Sequence, residues 1–303
     1  MELDLRYRYC LQAAFVGIAV NLLLFVVKLI FGYTGGSQAL LSDAFHSGGD
    51  SLVGVVVLLA VWVSARPADR EHPYGHWNAE SIAQGIVGII ILLVGLNLIY
   101  SNTTLLLQGE HAVPEAFTML AALFSLVLKE ITYRYTYNLG VKYNSPVVTA
   151  SAHEHRSDAF SSLAAFLGIL AATLGEAWGI EQLAFMDVVA GILVSFLILR
   201  MGFQVLWESA TALMDKMPPD EVQEEIKEEV LKQEGINELH ELRARYSGPC
   251  LQVDVVIGVD GNLSVEEGHQ LADKVEKRLK NNHREITSVW VHVHPCKEGK
   301  DFV

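Results

Sequence analysis

Cysteine is scarce and scattered: Cys10, Cys250 and Cys296 are the three in 303 residues. They form no CxxC pair and no disulfide framework, so a reducing side is the default. A basic surplus is missing too. Against 35 acids stand 22 lysines and arginines, a formal net charge of −13. That balance argues against nucleic acid as a partner, since nucleic acid favours a basic surface, and it is compatible with a cation. Low-complexity segments are absent. The first residues lack a small-residue cleavage site; Arg6, Arg8 and Cys10 lead straight into an apolar run of spanning length, unlike a cleaved leader.

What the chain has in excess is apolar length. It is 51% hydrophobic with a mean hydropathy of +0.30. The apolar residues come in long blocks up to about residue 213, and the remainder is charged like a soluble domain. Two parts are expected: a membrane domain at 1–213 and an aqueous domain at 214–303. Six spans are expected at Gln12–Tyr33, Gln38–Val63, Ala79–Leu107, Glu115–Tyr137, Pro146–Leu174 and Ala184–Leu206. Lys28 is placed near an end of its span, to snorkel. Tyr133, Arg134, Tyr135 and Tyr137 read as an interfacial anchor. Arg6, Arg8, Arg66, Arg70, Arg134 and Lys142 all fall on one side, and the loops around 33–37, 109–114 and 175–182 hold no lysine or arginine. Both termini are therefore expected in the cytoplasm, the membrane being a bacterial inner membrane.

Beyond the linker Met214–Pro219 the pattern reads helix (Asp220–Gln233), strand (Glu238–Tyr246), turn (Ser247–Gly248–Pro249) and strand (Leu251–Val259). A helix (Val265–Asn281) and a strand (Thr287–Val293) follow. The order αββαβ fits a small α+β, ferredoxin-like domain.

The polar residues inside the apolar blocks carry the chemistry. The second span holds SDAFHSGGDS, Ser42–Ser51. A carboxylate at the bilayer centre costs roughly 3 kcal/mol on insertion scales, so Asp43 and Asp50 need a reason to be there. His46 and Asp50 are four apart and share one helix face. The fifth span begins SAHEHRSDAFSS, where Glu154 and Asp158 repeat the spacing. Two such pairs on facing helices enclose a site of one imidazole and three carboxylates. Zinc accepts these donors at about 2.0–2.2 Å, and iron(II), manganese or cobalt also use them. A polar helix–helix contact is the plainer reading. His155, at i, i+3 from Asp158, competes with Glu154 as the ligand, or else is an interfacial residue. Asp43 is a candidate to orient a ligand, or a polar packing residue. His153 and His155 are two apart, which is not the HExxH of zinc proteases; no enzyme is expected.

SDAFHSGGD, PADREHPYGHWNAE and EHRSDAFSS together resemble the cation diffusion facilitators over nearly the whole chain. These are six-span divalent-metal/proton antiporters with a cytoplasmic ferredoxin-like domain. The resemblance implies a transport site at His46, Asp50, Glu154 and Asp158. Zinc members usually have histidine where Glu154 stands, which turns the expectation towards iron(II) or manganese. NSPVVTASAHEHRSD also resembles the magnetosome-associated members, which handle iron. The resemblance further implies a second metal at Asp69, His72 and His76 in the loop Pro67–Asn78. Solvated histidine caps are the plainer reading of that loop. Relatives read GHGKAE where this chain has GHWNAE, so Trp77 and Asn78 replace a glycine and a lysine whose partner here would be Asp215. In the aqueous domain it implies a regulatory metal at His240, Asp254, His269, His292 and His294, at a dimer contact, with Cys296 in reach.

The expected function is export of a divalent metal from the cytosol in exchange for protons, as a homodimer in the lipid bilayer. Metal ions are both substrate and regulator. The rival is a non-transporting, membrane-anchored metal sensor or scaffold, which would avoid the insertion cost of the span carboxylates.

Overall fold

The structure is a computed structural model that describes residues 2–64, 66–109, 113–142, 146–248, 250–283 and 285–296, with side chains from residue 12 onward except at a few helical positions. The side chains of Arg6, Arg8 and Cys10, the residue Pro249 and part of the 109–114 loop lie outside the described residues. The chain divides into two compact units: Met1–Leu59 with Gln84–Leu206, and Ala60–Ala83 with Trp207–Val303.

Apolar runs of this length can satisfy their backbone only as helices if they meet lipid, and helices they are. They are α1 (Glu2–Gly35), α2 (Gln38–Ser64), α3 (Ala79–Gln108), α4 (Phe117–Lys142), α5 (Pro146–Trp178), the single turn α6 (Glu181–Ala184) and α7 (Met186–Leu213). Among the described residues four stretches, Gln12–Gly35, Ala79–Gln108, Ser151–Trp178 and Gln182–Leu213, are long and apolar enough to cross a membrane by length and composition. α4 carries Lys129, Glu130 and Arg134 in its body, which lowers its mean hydropathy.

The first unit is polar inside and apolar outside. Leu22, Leu59, Leu93, Leu120, Leu193 and Phe196 are exposed, while Lys28, Asp43, Asn102, Lys129 and Asp187 are buried. That inversion suits a lipid solvent, in which helices associate through packing and polar contacts. Lys28 is one departure from expectation. It is fully buried rather than snorkelling, because Asp43 of α2 accepts its charge at 2.7 Å. Asp187 of α7 receives the start of α2: Ser37 Oγ donates to Oδ1 and the Gln38 N–H to Oδ2, each at 2.7 Å. Close approach is set by glycine. A Cβ on Gly88 of α3 would stand 2.8 Å from the Leu206 backbone nitrogen of α7.

The second unit contains α8 (Asp220–Leu231), β1 (Glu238–Ser247), β2 (Cys250–Asp260), α9 (Val265–Asn282) and β3 (Ile286–Cys296). The sheet order is β1-β2-β3, with β1 antiparallel and β3 parallel to β2. The parallel pair requires a crossover, and α9 is that crossover. Alternate residues of β2, Leu251, Val253, Val255, Ile257 and Val259, are buried with Ile226 and Val230 of α8 and Val275 and Leu279 of α9. The element order is the expected αββαβ; among the described residues no fourth strand completes a ferredoxin sheet. Ser264 and Glu267 form a capping box at the start of α9.

In the same unit, Ser247 Oγ donates to Asn78 Oδ1 at 2.8 Å, and Arg245 Nη1 lies 3.0 Å from Asp215 Oδ2. Arg245 thus pairs with Asp215 within the unit. Trp77 is half-buried beside Gly75 and Gly248.

Candidate metal centres

Helical spacing makes the first site. α2 sets His46 and Asp50 on successive turns of one face, and α5 supplies Asp158. One donor atom from each lies within 4.8 Å of the others. His46 Nε2 is 3.7 Å from Asp158 Oδ1. His46 and Asp158 are buried and Asp50 is half-buried. His46 Nδ1 and Asp50 Oδ2 have no hydrogen-bond partner among the described residues. Buried polar atoms are rarely left so, and a divalent cation held by the group would satisfy the Asp50 oxygen. The donors, one imidazole and two carboxylates, are hard to intermediate in character.

The other span candidates fall differently. Glu154, one turn before Asp158, is exposed and outside this group. His155 is buried, with Nδ1 3.9 Å from Asp158 Oδ2, and it packs against Gly17 of α1. Asp43 is engaged by other partners: Ser161 and Ser162 of α5 donate to its two oxygens at 2.7 and 2.8 Å, besides Lys28. It fixes α2 against α1 and α5.

A residue without an assigned role in the sequence stands beside the donors. Lys129 of α4 is fully buried, donates to Asp158 Oδ2 at 2.6 Å, and lies 3.8 Å from Asp50 Oδ2. The signal for it was available: a lysine in the body of an apolar helix carries the same insertion cost as an aspartate.

The second site is a turn. Asp69 Oδ1 accepts the N–H groups of Glu71 and His72 at 2.9 and 2.7 Å. The His72 backbone bond, above all, holds the Asp69 carboxyl below its usual range. Gly75, at φ 89°, reverses the chain, so His72 and His76 come to 4.4 Å between ring centres. His72 Nδ1 and His76 Nε2 lie 3.3 and 3.4 Å from the two Asp69 oxygens. All three residues bring a donor within 4.8 Å of the others.

The third site is on the sheet. Glu238, His240 and Cys296 bring donors within 4.8 Å of one another. Gly258 of β2 pairs with Glu238 on one side and His294 on the other, and a Cβ there would collide with Cys296 Sγ and approach His240 Nε2. The hollow therefore depends on that glycine. Cys296 Sγ donates to Glu238 Oε1 at 3.2 Å, which together with some burial pushes the thiol pKa up. His294 lies 5.8 Å from His240 and 4.8 Å from His292, ring centre to ring centre. Asp254 pairs in register with Arg243 and Trp290, and His269 is an exposed residue of α9 facing Asp273; neither belongs to the group. Glu238 was legible as a strand neighbour, two before His240 and on its face.

Two family models match the chain: the cation efflux transmembrane domain over residues 14–214, and the cation efflux protein cytoplasmic domain over 218–296. The chain belongs to the cation diffusion facilitator family.

Similar proteins extend along nearly its full length. The manganese efflux system protein MneP of Bacillus subtilis is 33% identical, over 95% of this chain and 96% of its own. The magnetosome protein MamM of Paramagnetospirillum magneticum is 32% identical, over 94% and 88%. The magnetosome protein MamB of Magnetospira sp. is 32% identical, over 89% and 90%. As a cation diffusion facilitator the chain is an integral membrane protein that transports metal cations, not an enzyme. It joins a transmembrane domain to a C-terminal cytoplasmic domain built on a small sheet.

Proposed function

We propose that this facilitator exports a divalent cation of the manganese and iron(II) class from the cytosol, in exchange for protons. The observation that carries the reading is the convergence of His46, Asp50 and Asp158 inside an otherwise apolar helical unit. Oxygen-rich donors favour manganese and iron over softer ions. The family relative named for manganese efflux supports the same class.

Metal needs these carboxylates ionised and the imidazole neutral, so metal and protons compete for the same three groups. Cytosolic metal displaces protons in one state; after the helices rearrange, external protons displace metal. His155 is a fourth donor in this reading, while Glu154 is a ligand only if α5 turns. The six long helices all cross the membrane, with transport residues at 1–213, the regulatory domain at 214–303 and both termini in the cytoplasm of a bacterial inner membrane. The loop triad Asp69, His72 and His76 binds a second ion. The group of Glu238, His240, His292, His294 and Cys296 senses cytosolic metal and biases a homodimer formed through the cytoplasmic domain. That bias is a population shift, so it requires metal to bind one arrangement of the dimer better than the other.

Everted membrane vesicles test the export reading. Manganese(II) uptake should rise with an imposed pH gradient, release protons in step, and be lost in Asp50→Ala. Uptake that is indifferent to the gradient, or that survives Asp50→Ala, overturns it.

A further inference from the structure

The buried lysine of α4 is no metal ligand, yet it stands on two of the ligands. Lys129 Nζ donates to Asp158 Oδ2 at 2.6 Å and lies 3.8 Å from Asp50 Oδ2. It has a second seat. The same ammonium donates to Asn21 Oδ1 of α1 at 2.6 Å, an uncharged acceptor that is itself buried. The other buried carboxylate nearby is engaged already, since Asp43 holds Lys28 at 2.7 Å.

Charge decides what this arrangement does. Two ionised carboxylates and one ammonium leave the group at −1; a divalent ion added without any movement would leave it at +1, with two cations on one carboxylate. Like charges at that range repel strongly where water is scarce. An ammonium paired to a carboxylate also competes with a metal for that carboxylate's charge.

We propose that Lys129 is a tethered counter-cation of the transport site. Its ammonium bridges Asp158 and Asn21 and faces Asp50 while the site is empty, releases Asp158 and keeps Asn21 when metal binds, and takes Asp158 again as metal leaves. Lys129 is thus a positioning residue that sets affinity and release. It offsets one of the two carboxylate charges of the empty site, leaving the other to protons, and prevents metal from being held too tightly to turn over. The inference rests on the reading of His46, Asp50 and Asp158 as the transport site.

Manganese(II) titration of the purified full-length protein, with flux in proteoliposomes, tests it. Lys129→Gln removes the charge and keeps much of the reach. It should bind manganese at least about tenfold more tightly, a shift of roughly 1.4 kcal/mol, with KM and kcat both lowered. Lys129→Arg, which keeps the charge, should return Kd towards the wild-type value. Asn21→Ala removes the second seat and should move Kd the other way, weakening binding by about tenfold. An unchanged or raised Kd in Lys129→Gln overturns the proposal. Should that variant not fold, unchanged or tighter binding in Asn21→Ala overturns it instead. Asp158→Asn separates the two readings. Binding that survives Asp158→Asn removes the transport site itself. Binding lost there, with Lys129→Gln unchanged, removes only the counter-cation.

Discussion

Asp43 and Asp50 lie seven residues apart on α2 and share a helix, yet they face opposite demands. Asp43 is fully buried, ion-paired to Lys28 and hydrogen-bonded to two serines; Asp50 keeps an oxygen with no hydrogen-bond partner among the described residues. Asp43→Asn strips Lys28 of its counter-charge in the interior, and breaking a buried pair from one side costs about 3–5 kcal/mol. The thermal midpoint of the detergent-purified protein should fall sharply. Asp50→Asn should leave that midpoint near the wild-type value while losing one bound ion per chain. Equal losses of stability in the two variants would contradict this division. His46 and Asp50 were legible as a pair because spacing along one helix is local information, whereas Asp158 was read through its spacing from Glu154, which lies outside the group. Which acid belongs to the metal and which to a lysine is not local. Lys28 and Asp43 meet across two helices, and Lys129 reaches Asp158 of another. Glu154 and His155 both lie within a turn of Asp158, so spacing left them open; the packing of His155 against Gly17 distinguishes them in the structure.

At the scale of the element, glycine sets how closely α3 and α7 approach. A Cβ on Gly202 would lie 2.9 Å from the Leu92 nitrogen, the reciprocal of the contact at Gly88. Gly88→Leu should force the helices apart, at a cost of about 1–3 kcal/mol for overpacking, read as a lower thermal midpoint. Gly88→Leu with a wild-type midpoint would contradict the close crossing. In the cytoplasmic domain, Glu229 of α8 accepts from Arg278 Nε of α9 and from Asn282, each at 2.8 Å. The Arg278 hydrogen bond, first among the causes, holds the Glu229 carboxyl below its ordinary value. A lowered carboxyl pKa contributes stability above the ordinary glutamate range, about 4.3, and loses it as pH falls through the lowered value. Arg278→Ala should therefore speed amide exchange in α8 and α9 at neutral pH, by an amount near 0.5 kcal/mol for a partly solvated pair. The difference should vanish in acid; a difference that grows in acid would contradict the sign. The αββαβ order was legible from alternation in β2 and the heptad-like face of α9. The extension of β3 to Cys296 was not, because its last residues, His294 to Cys296, alternate polar and turn-forming types and are ordered by pairing with β2.

Across the whole molecule, polarity is the organising fact. The first unit hides its charges and exposes its leucines, whereas the second hides its valines and exposes its charges. Lipid and water reward opposite surfaces. The interior lysine of α4 lowers that helix's mean hydropathy, although Glu115–Tyr137 was expected as a span. The central claim is that His46, Asp50 and Asp158 hold one and the same transported ion. The direct measurement is manganese(II) stoichiometry by equilibrium dialysis of the purified full-length protein, wild type against His46→Ala, Asp50→Ala and Asp158→Ala. Each variant should lose one ion per chain, and combining any two should lose no more. A stoichiometry unchanged in any of the three, or losses that add when two are combined, would contradict a single shared site.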